Sequence, residues 1–274
     1  MLPATVTIES VRRFWEDNPV AAEGIAAPLS SPEYFRCFDE IREAQDCEPY
    51  AYSNLIHGYE MSHGKRVLDV GCGNGYVLSR YARRGAEVHG VDLTGTAVKL
   101  SRRRFEIEGI HGSFQQIDGV HLPYPDHHFD IVCSMGVLHH IADPAPLVAE
   151  MRRVLKPGGE IIVMLYHRYS YKYVVLFRLK RLFDPRYRSM TQQDALNRND
   201  GAACPLAMVY SKGEAIALLR YFDQHVCRLN QLSYRQLFLV GPLARLARAV
   251  LPSECDTWLA RYFGWALYVT ARKP

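Results

Sequence analysis

The residues with the clearest chemical potential lie between Val67 and Gly75, where the chain reads Val-Leu-Asp-Val-Gly-Cys-Gly-Asn-Gly. An apolar strand runs here into alternating glycines, Gly71, Gly73 and Gly75, and a helix is expected from about Tyr76. Glycine adopts backbone angles that other residues avoid and lets a ligand approach the main chain closely. A strand ending in such a turn places a ligand at the C-terminal edge of a parallel sheet, beside a helix N-terminus. A second apolar run, Ala86 to Val91, ends in Asp92, whose carboxylate suits both hydroxyls of a ribose. The spacing is not G-x-G-x-x-G, in which the glycines admit a pyrophosphate. Asp69, two residues ahead of the first glycine, would repel a phosphate and suits a ligand carrying positive charge.

The elements that must position these residues follow from periodicity and punctuation. Strands are expected at 65–70, 86–91, 113–117, 129–134, 160–166, 224–229 and 265–271, with helices at 75–84, 95–107 and 144–155 between the early ones. Lys156-Pro157-Gly158-Gly159 reads as a turn into the fifth strand. Strands alternating with helices imply an α/β, doubly wound sheet with right-handed crossovers. An aromatic-rich helical lid over about 1–62 precedes the core at about 63–166. A cap insertion follows at about 167–210, then the C-terminal core with a second helical insertion at about 211–274. In that second insertion Leu237, Leu243, Leu246 and Val250 form an apolar stripe. Ser211 with Glu214 makes a capping box. The whole, 1–274, reads as a single domain.

Taken together, these residues resemble the class I S-adenosylmethionine-dependent methyltransferases. Asp69 to Gly75 is similar to their first motif, with Cys72 inside it, and Asp92-Leu93 is similar to their ribose-binding acid and its neighbour. Gln116-Ile117-Asp118-Gly119 resembles the segment after the third strand, which implies Asp118 facing the adenine amine and the Gly119 amide reaching the ring. Ser134-Met135-Gly136-Val137-Leu138-His139-His140 resembles the stretch that flanks the methionine part of the cofactor. The motifs fall in order across 65–166. The resemblance implies a Rossmann-like sheet of about seven strands with the last antiparallel, and S-adenosyl-L-methionine as cofactor, released as S-adenosyl-L-homocysteine. It also implies acids at the tips of successive strands, Asp69, Asp92 and Asp118, gathered around one site.

The expected activity is methyl transfer to a small organic acceptor at O, N or C, by in-line displacement. A macromolecular methyltransferase, or a cofactor-binding enzyme such as a pericyclase on the same fold, stands as the alternative; a nicotinamide oxidoreductase is disfavoured by the glycine spacing. His139, His140 and His167 lie at the site edge as candidate proton acceptors, with Tyr166 beside the last. Phe14, Trp15, Tyr50 and Tyr52 from the lid, and Arg168 and Tyr210 at the ends of the cap, are candidates for the acceptor pocket. The cap is rich in Arg and Lys interleaved with aromatics, which reads first as a solvated face and second as a holder for an acidic acceptor. The histidines show no metal-ligand spacing, so no metal is expected. The seven cysteines are scattered without a C-x-x-C pair, which suits a reducing cytoplasm. The formal charge of +4 demands no nucleic-acid partner, and neither a signal pattern nor a membrane-length apolar run is present. The sequence gives no oligomeric state.

Overall fold

Alternation along one short strand sorts the core into two layers. In β1 (Arg66–Val70), Val67 joins an aromatic-rich cluster on one face of the sheet, and Leu68 and Val70 join a leucine- and valine-rich cluster on the other. Successive side chains of a strand point to opposite faces, and a strand buried on both faces belongs in the middle of a parallel sheet. The computed structural model describes residues 6–20, 24–201, 203–237, 246, 250, 251, 254 and 257–274.

The remaining strands are β2 (Glu87–Asp92), β3 (Ser113–Gln116), β4 (Phe129–Met135), β5 (Leu155–Tyr166), β6 (Asp223–Asn230) and β7 (Ala266–Arg272). They form one seven-stranded sheet in the order β3-β2-β1-β4-β5-β7-β6. The pairings from β3 across to β5 are parallel, and β7 is antiparallel to both β5 and β6. This is the doubly wound, Rossmann-like sheet with an antiparallel last strand that the sequence led us to expect. Strand order reverses between β1 and β4, and ligands of such sheets bind at that switch point.

Helices α1 (Ile8–Asp17), α2 (Pro32–Arg42) and α3 (Tyr50–His57) precede the sheet. Then come α4 (Tyr76–Ala82), α5 (Gly95–Glu108) and α6 (Ala145–Val154). Residues of α2 to α5 pack in the aromatic-rich layer, and those of α6 and of α10 (Lys212–Leu218) pack in the opposite one. The cap between β5 and α10 holds α7 (Phe177–Phe183), α8 (Pro185–Arg188) and α9 (Gln192–Asn197). The capping box at Ser211 and Glu214 is formed. A buried Glu48 ties the lid to the sheet: it accepts from Arg42 at 2.6 Å, Ser53 at 2.7 Å and the Tyr268 hydroxyl of β7 at 2.8 Å.

Three boundaries differ from the expectation. The lid, expected to be helical to about 62, has its last α-helix end at His57, because Gly58 takes a left-handed φ of 61° and a 3₁₀ turn, Tyr59–Met61, follows. The Lys156-Pro157-Gly158-Gly159 turn lies inside β5, whose register slips between the Phe129–Leu155 and Ile131–Glu160 pairs. Such an irregularity accommodates extra residues without ending the strand. In the second insertion, the described residues include a turn, Tyr234–Leu237, and α11 (Ala260–Phe263). Leu243 of the expected stripe lies outside the described residues, and Leu246 and Val250 are exposed.

Candidate active site

The turn after β1 is built from left-handed glycines, with φ of 84° at Gly71, 54° at Gly73 and 77° at Gly75. A Cβ at Gly71 would stand 2.2 Å from Val137 Cγ2, and one at Gly75 would stand 3.2 Å from the Ser101 backbone. A Cβ at Gly73 would meet nothing within 4 Å, so its bare backbone leaves room beside the cleft. The amides of Gly71 and Cys72 both donate to the Val91 carbonyl, at 2.8 and 3.1 Å, which stitches the turn to β2. Asp92 closes the arrangement. Its Oδ2 accepts from the Gly73 amide at 3.1 Å, and its Oδ1 accepts from the amide and hydroxyl of Thr94, both at 2.9 Å. A carboxylate has about four lone-pair sites, so Oδ2 retains capacity for one more donor.

These residues border a cavity of about 330 Å³ at the C-terminal ends of β1, β2 and β4. Gly71, Gly73, Asp92 and Leu93 form one wall, with Ile117 and Gly119 after β3, and Met135 to Val137 and His140 after β4. Helix α1 supplies the roof through Ile8, Val11 and Trp15. Among the described residues of its lining, no Lys or Arg occurs.

Residues 68–163 match the family described as methyltransferase domain. A ubiquinone biosynthesis O-methyltransferase of Alkalilimnicola ehrlichii is 33% identical over 178 residues, covering 64% of this chain and 69% of that protein. The chain belongs to the class I S-adenosylmethionine-dependent methyltransferases. Enzymes of the same description from other organisms align at 31–36% identity, and there the matched region spans about half of their length, 44–55%. Two solved structures share the fold. Geranyl diphosphate C-methyltransferase from Streptomyces coelicolor A3(2) has a TM-score of 0.59 at 16% identity, over 99% of this chain and 100% of that one. The [4+2]-cyclase SpnF has a TM-score of 0.59 at 18% identity, over 100% of this chain and 98% of that one.

The methyltransferase cavity fits an adenosyl cofactor: the Gly73 backbone is open, a Cβ at Gly71 has no room, and Asp92 stands at the end of β2. Of the strand-tip acids, Asp92 alone lines it. Asp69 shares the face of Val67 and is buried beneath the turn, and burial pushes its carboxyl up to about 8. Buried off the cavity lining, Asp69 presents no carboxylate to a cationic ligand there. Asp118 is exposed, while its neighbours Ile117 and Gly119 face the cavity. Cys72 and Gly75 support the turn from behind, Cys72 against Gly90. Ser134 donates to the Val70 carbonyl at 2.9 Å and is buried off the cavity.

The lid and cap residues separate in the same way. Trp15 lines the cavity and meets the His140 ring edge-on at 5.0 Å, whereas Phe14 points to the other side, within 3.0 Å of where a Gly201 side chain would be. Tyr50 is taken up by Glu60 and Arg84, and Tyr52 packs against Tyr268 with ring centroids 5.8 Å apart. Both cover the sheet, away from the cavity. Arg168 binds Glu214 and the Val209 carbonyl, and Tyr210 pairs its backbone with Tyr166 and Arg168. His167 is buried, with Nδ1 on the Gly264 carbonyl at 3.1 Å. His139 is buried behind His140 and stacks on Tyr166 at 3.8 Å; burial drives its pKa well down. His140 is thus the histidine of the set that reaches the cavity. Its Nδ1 is held by the Leu206 carbonyl at 2.6 Å, which leaves Nε2 as the ring nitrogen open to a ligand.

Two contributions escaped the sequence. The apolar face of α1 makes the roof, and Glu16 fastens α1 to the first turn of α5. The signal for the first was present as the period of Ile8, Val11 and Trp15; nothing local marks the second. The six cysteines among the described residues are free, and no described helix is long and apolar enough to cross a membrane.

Proposed function

We propose that this methyltransferase acts on a small, uncharged, largely apolar acceptor that carries a hydroxyl group and enters beneath α1. The observation that carries the reading is the lining: an apolar cavity with no Lys or Arg among the described residues that border it, running from Asp92 after β2 to His140 after β4. Small-molecule sites have this form, apolar walls with a few placed polar groups. Relatives named as O-methyltransferases favour oxygen as the acceptor atom.

S-adenosylmethionine supplies a methyl group already activated on a sulfonium. The chain's own work is then to bind, to align and to keep water out. Asp92 and the Gly71–Gly73 turn hold the nucleoside end. Met135, Val137 and Ile141 present apolar surface beyond it. Trp15 and Val11 close the roof. His140, with Nδ1–H committed to Leu206, offers a lone pair on Nε2. That lone pair accepts a hydrogen bond from the acceptor's hydroxyl and orients its oxygen. The arginine-rich cap plays no part in holding an anionic acceptor in this reading.

The test is incubation with isotopically labelled cofactor and a panel of apolar hydroxylated aromatics, followed by mass spectrometry. The expected product gains one labelled methyl. Binding of the cofactor by calorimetry with no methylated product from any acceptor would favour the non-methylating alternative. Undetectable binding at millimolar cofactor would sink both.

A further inference from the structure

Behind His140, on the side away from the cavity, three ligand-type side chains converge. A His140 ring nitrogen, an Asp200 carboxylate oxygen and Cys204 Sγ all lie within 4.8 Å of one another. The Cys204 sulfur is 4.0 Å from His140 Nδ1, and the Leu206 carbonyl is 2.6 Å from that nitrogen and 3.5 Å from the sulfur. The Tyr166 hydroxyl donates to Asp200 Oδ1 at 2.5 Å, and Asn199 Nδ2 approaches the same oxygen at 3.3 Å. Asp200 Oδ2 is buried with no hydrogen-bond partner. Buried carboxylate oxygens are ordinarily answered by a donor or a cation.

We propose that His140, Asp200 and Cys204 bind a borderline-soft divalent cation, zinc first, with the Leu206 carbonyl in reach as a fourth ligand. The donor set decides the metal. Imidazole, thiolate and carboxylate together suit zinc, whereas magnesium and calcium take oxygen ligands. The three side-chain donor atoms stand up to 4.8 Å apart, wider than the edges of a tetrahedron built on zinc–ligand bonds of roughly 2.0–2.3 Å, whereas the Leu206 carbonyl at 2.6 Å from His140 Nδ1 is closer than such an edge, so binding draws the side chains together by about 1 Å and parts that carbonyl from the imidazole. Tyr166 then acts as the partner that orients a metal-bound carboxylate. Cys204 binds as thiolate and its proton leaves to solvent.

The place of the site sets its role. His140 lines the cavity, and neither Asp200 nor Cys204 does. The cation therefore sits behind the imidazole and does not touch the acceptor. Coordination at Nδ1 moves the ring proton to Nε2, so the face shown to the cavity changes from hydrogen-bond acceptor to donor. It also fastens the cap to the turn after β4. The site rests on the fold alone, and only its effect on the acceptor rests on the function proposed above.

The experiment is titration of the metal-free full chain with Co²⁺, read by the thiolate-to-cobalt charge-transfer band. We expect one equivalent bound, competed away by Zn²⁺, with affinity reduced about tenfold or more in Cys204→Ser and in Asp200→Asn. Circular dichroism establishes that each variant is folded, and zinc is expected to raise the thermal midpoint of the unmutated protein. Cofactor affinity, measured separately by calorimetry, should be unchanged in Cys204→Ser, so a failed cofactor assignment and a failed metal site give different results. Absence of the band together with no thermal shift overturns the proposal, as does a band that both folded variants retain at full strength.

Discussion

Glu16 holds Thr96 twice: its carboxylate accepts from the Thr96 amide at 3.0 Å and from the Thr96 hydroxyl at 2.7 Å. The Gly95 amide adds a third bond at 2.8 Å. The first amides of a helix lack intrahelical partners, and the helix dipole favours a negative charge beside them. The roof of the cavity is thereby fastened to the helix that follows Asp92.

Glu16→Ala should loosen that roof without removing any group that touches the cofactor. The loss of a capping carboxylate is worth about 1–2 kcal/mol, which weakens cofactor binding by roughly 5- to 30-fold. Glu16→Gln should fall between. Calorimetry on the three proteins checks this, and equal affinities would show that α1 docks without its latch.

Asp92→Ala removes the acceptor of the Gly73 and Thr94 amides as well as the expected ribose contact. Hydrogen bonds to charged groups contribute about 1.5–3 kcal/mol, so cofactor affinity should fall by about 10- to 100-fold. The thermal midpoint should also drop, because the turn loses its anchor. A variant that binds as tightly as the unmutated protein would remove Asp92 from the site.

Gly71→Ala combines a left-handed φ with a Cβ that would collide with Val137 Cγ2. Overpacking costs about 1–3 kcal/mol and the backbone strain about 1 kcal/mol more, read as a lowered urea midpoint. Adding Val137→Ala should recover the steric part and leave the backbone part. Full recovery in the double variant would show that the φ carries no cost.

The burial of Asp69 makes stability depend on pH. Its carboxyl is pushed up to about 8 in the folded protein, whereas in the unfolded chain it releases its proton near pH 4, about the ordinary value. Between those values the folded state holds a proton that the unfolded state has lost, so stability falls as pH rises through the window. Asp69→Asn abolishes this slope. Urea melts at pH 5 and pH 8 should show the variant gaining on the unmutated protein at the higher pH. A difference that is the same at both pH values would mean that the buried carboxyl titrates normally.

The contrast between Asp92 and its two companions shows what a sequence can carry. Asp92 and the glycines were legible because strand, turn and next strand are local, and their chemistry follows from positions along one βαβ unit. Asp69 was assigned a charge from its place before the turn, but strand alternation puts it on the face of Val67, inside the core. Asp118 lies one residue out of phase: Ile117 and Gly119 on either side of it line the cavity. The Glu16 latch joins residues 80 apart, and Cys204 meets His140 across 64, with no motif linking either pair. Contacts of that range are decided by packing, which residue spacing does not encode. The cap arginines followed the plainer expectation where described: Arg168 pairs with Glu214 at the surface.

Strand Ala266–Arg272 is the last of the sheet to be synthesised, yet it lies between β5 and β6. Until it emerges from the ribosome, the hydrogen-bonding groups along one side of β5 have no strand to answer them, and β6 has nothing to join. A nascent chain with such an open margin is prone to pair with the wrong neighbour. Lys273, just past the strand, closes the seam by donating to the carbonyls of Arg152 and Leu155. The order of the strands in the sheet thus runs against their order in the chain at this edge, and β6 can join only after the strand that follows it has docked on β5.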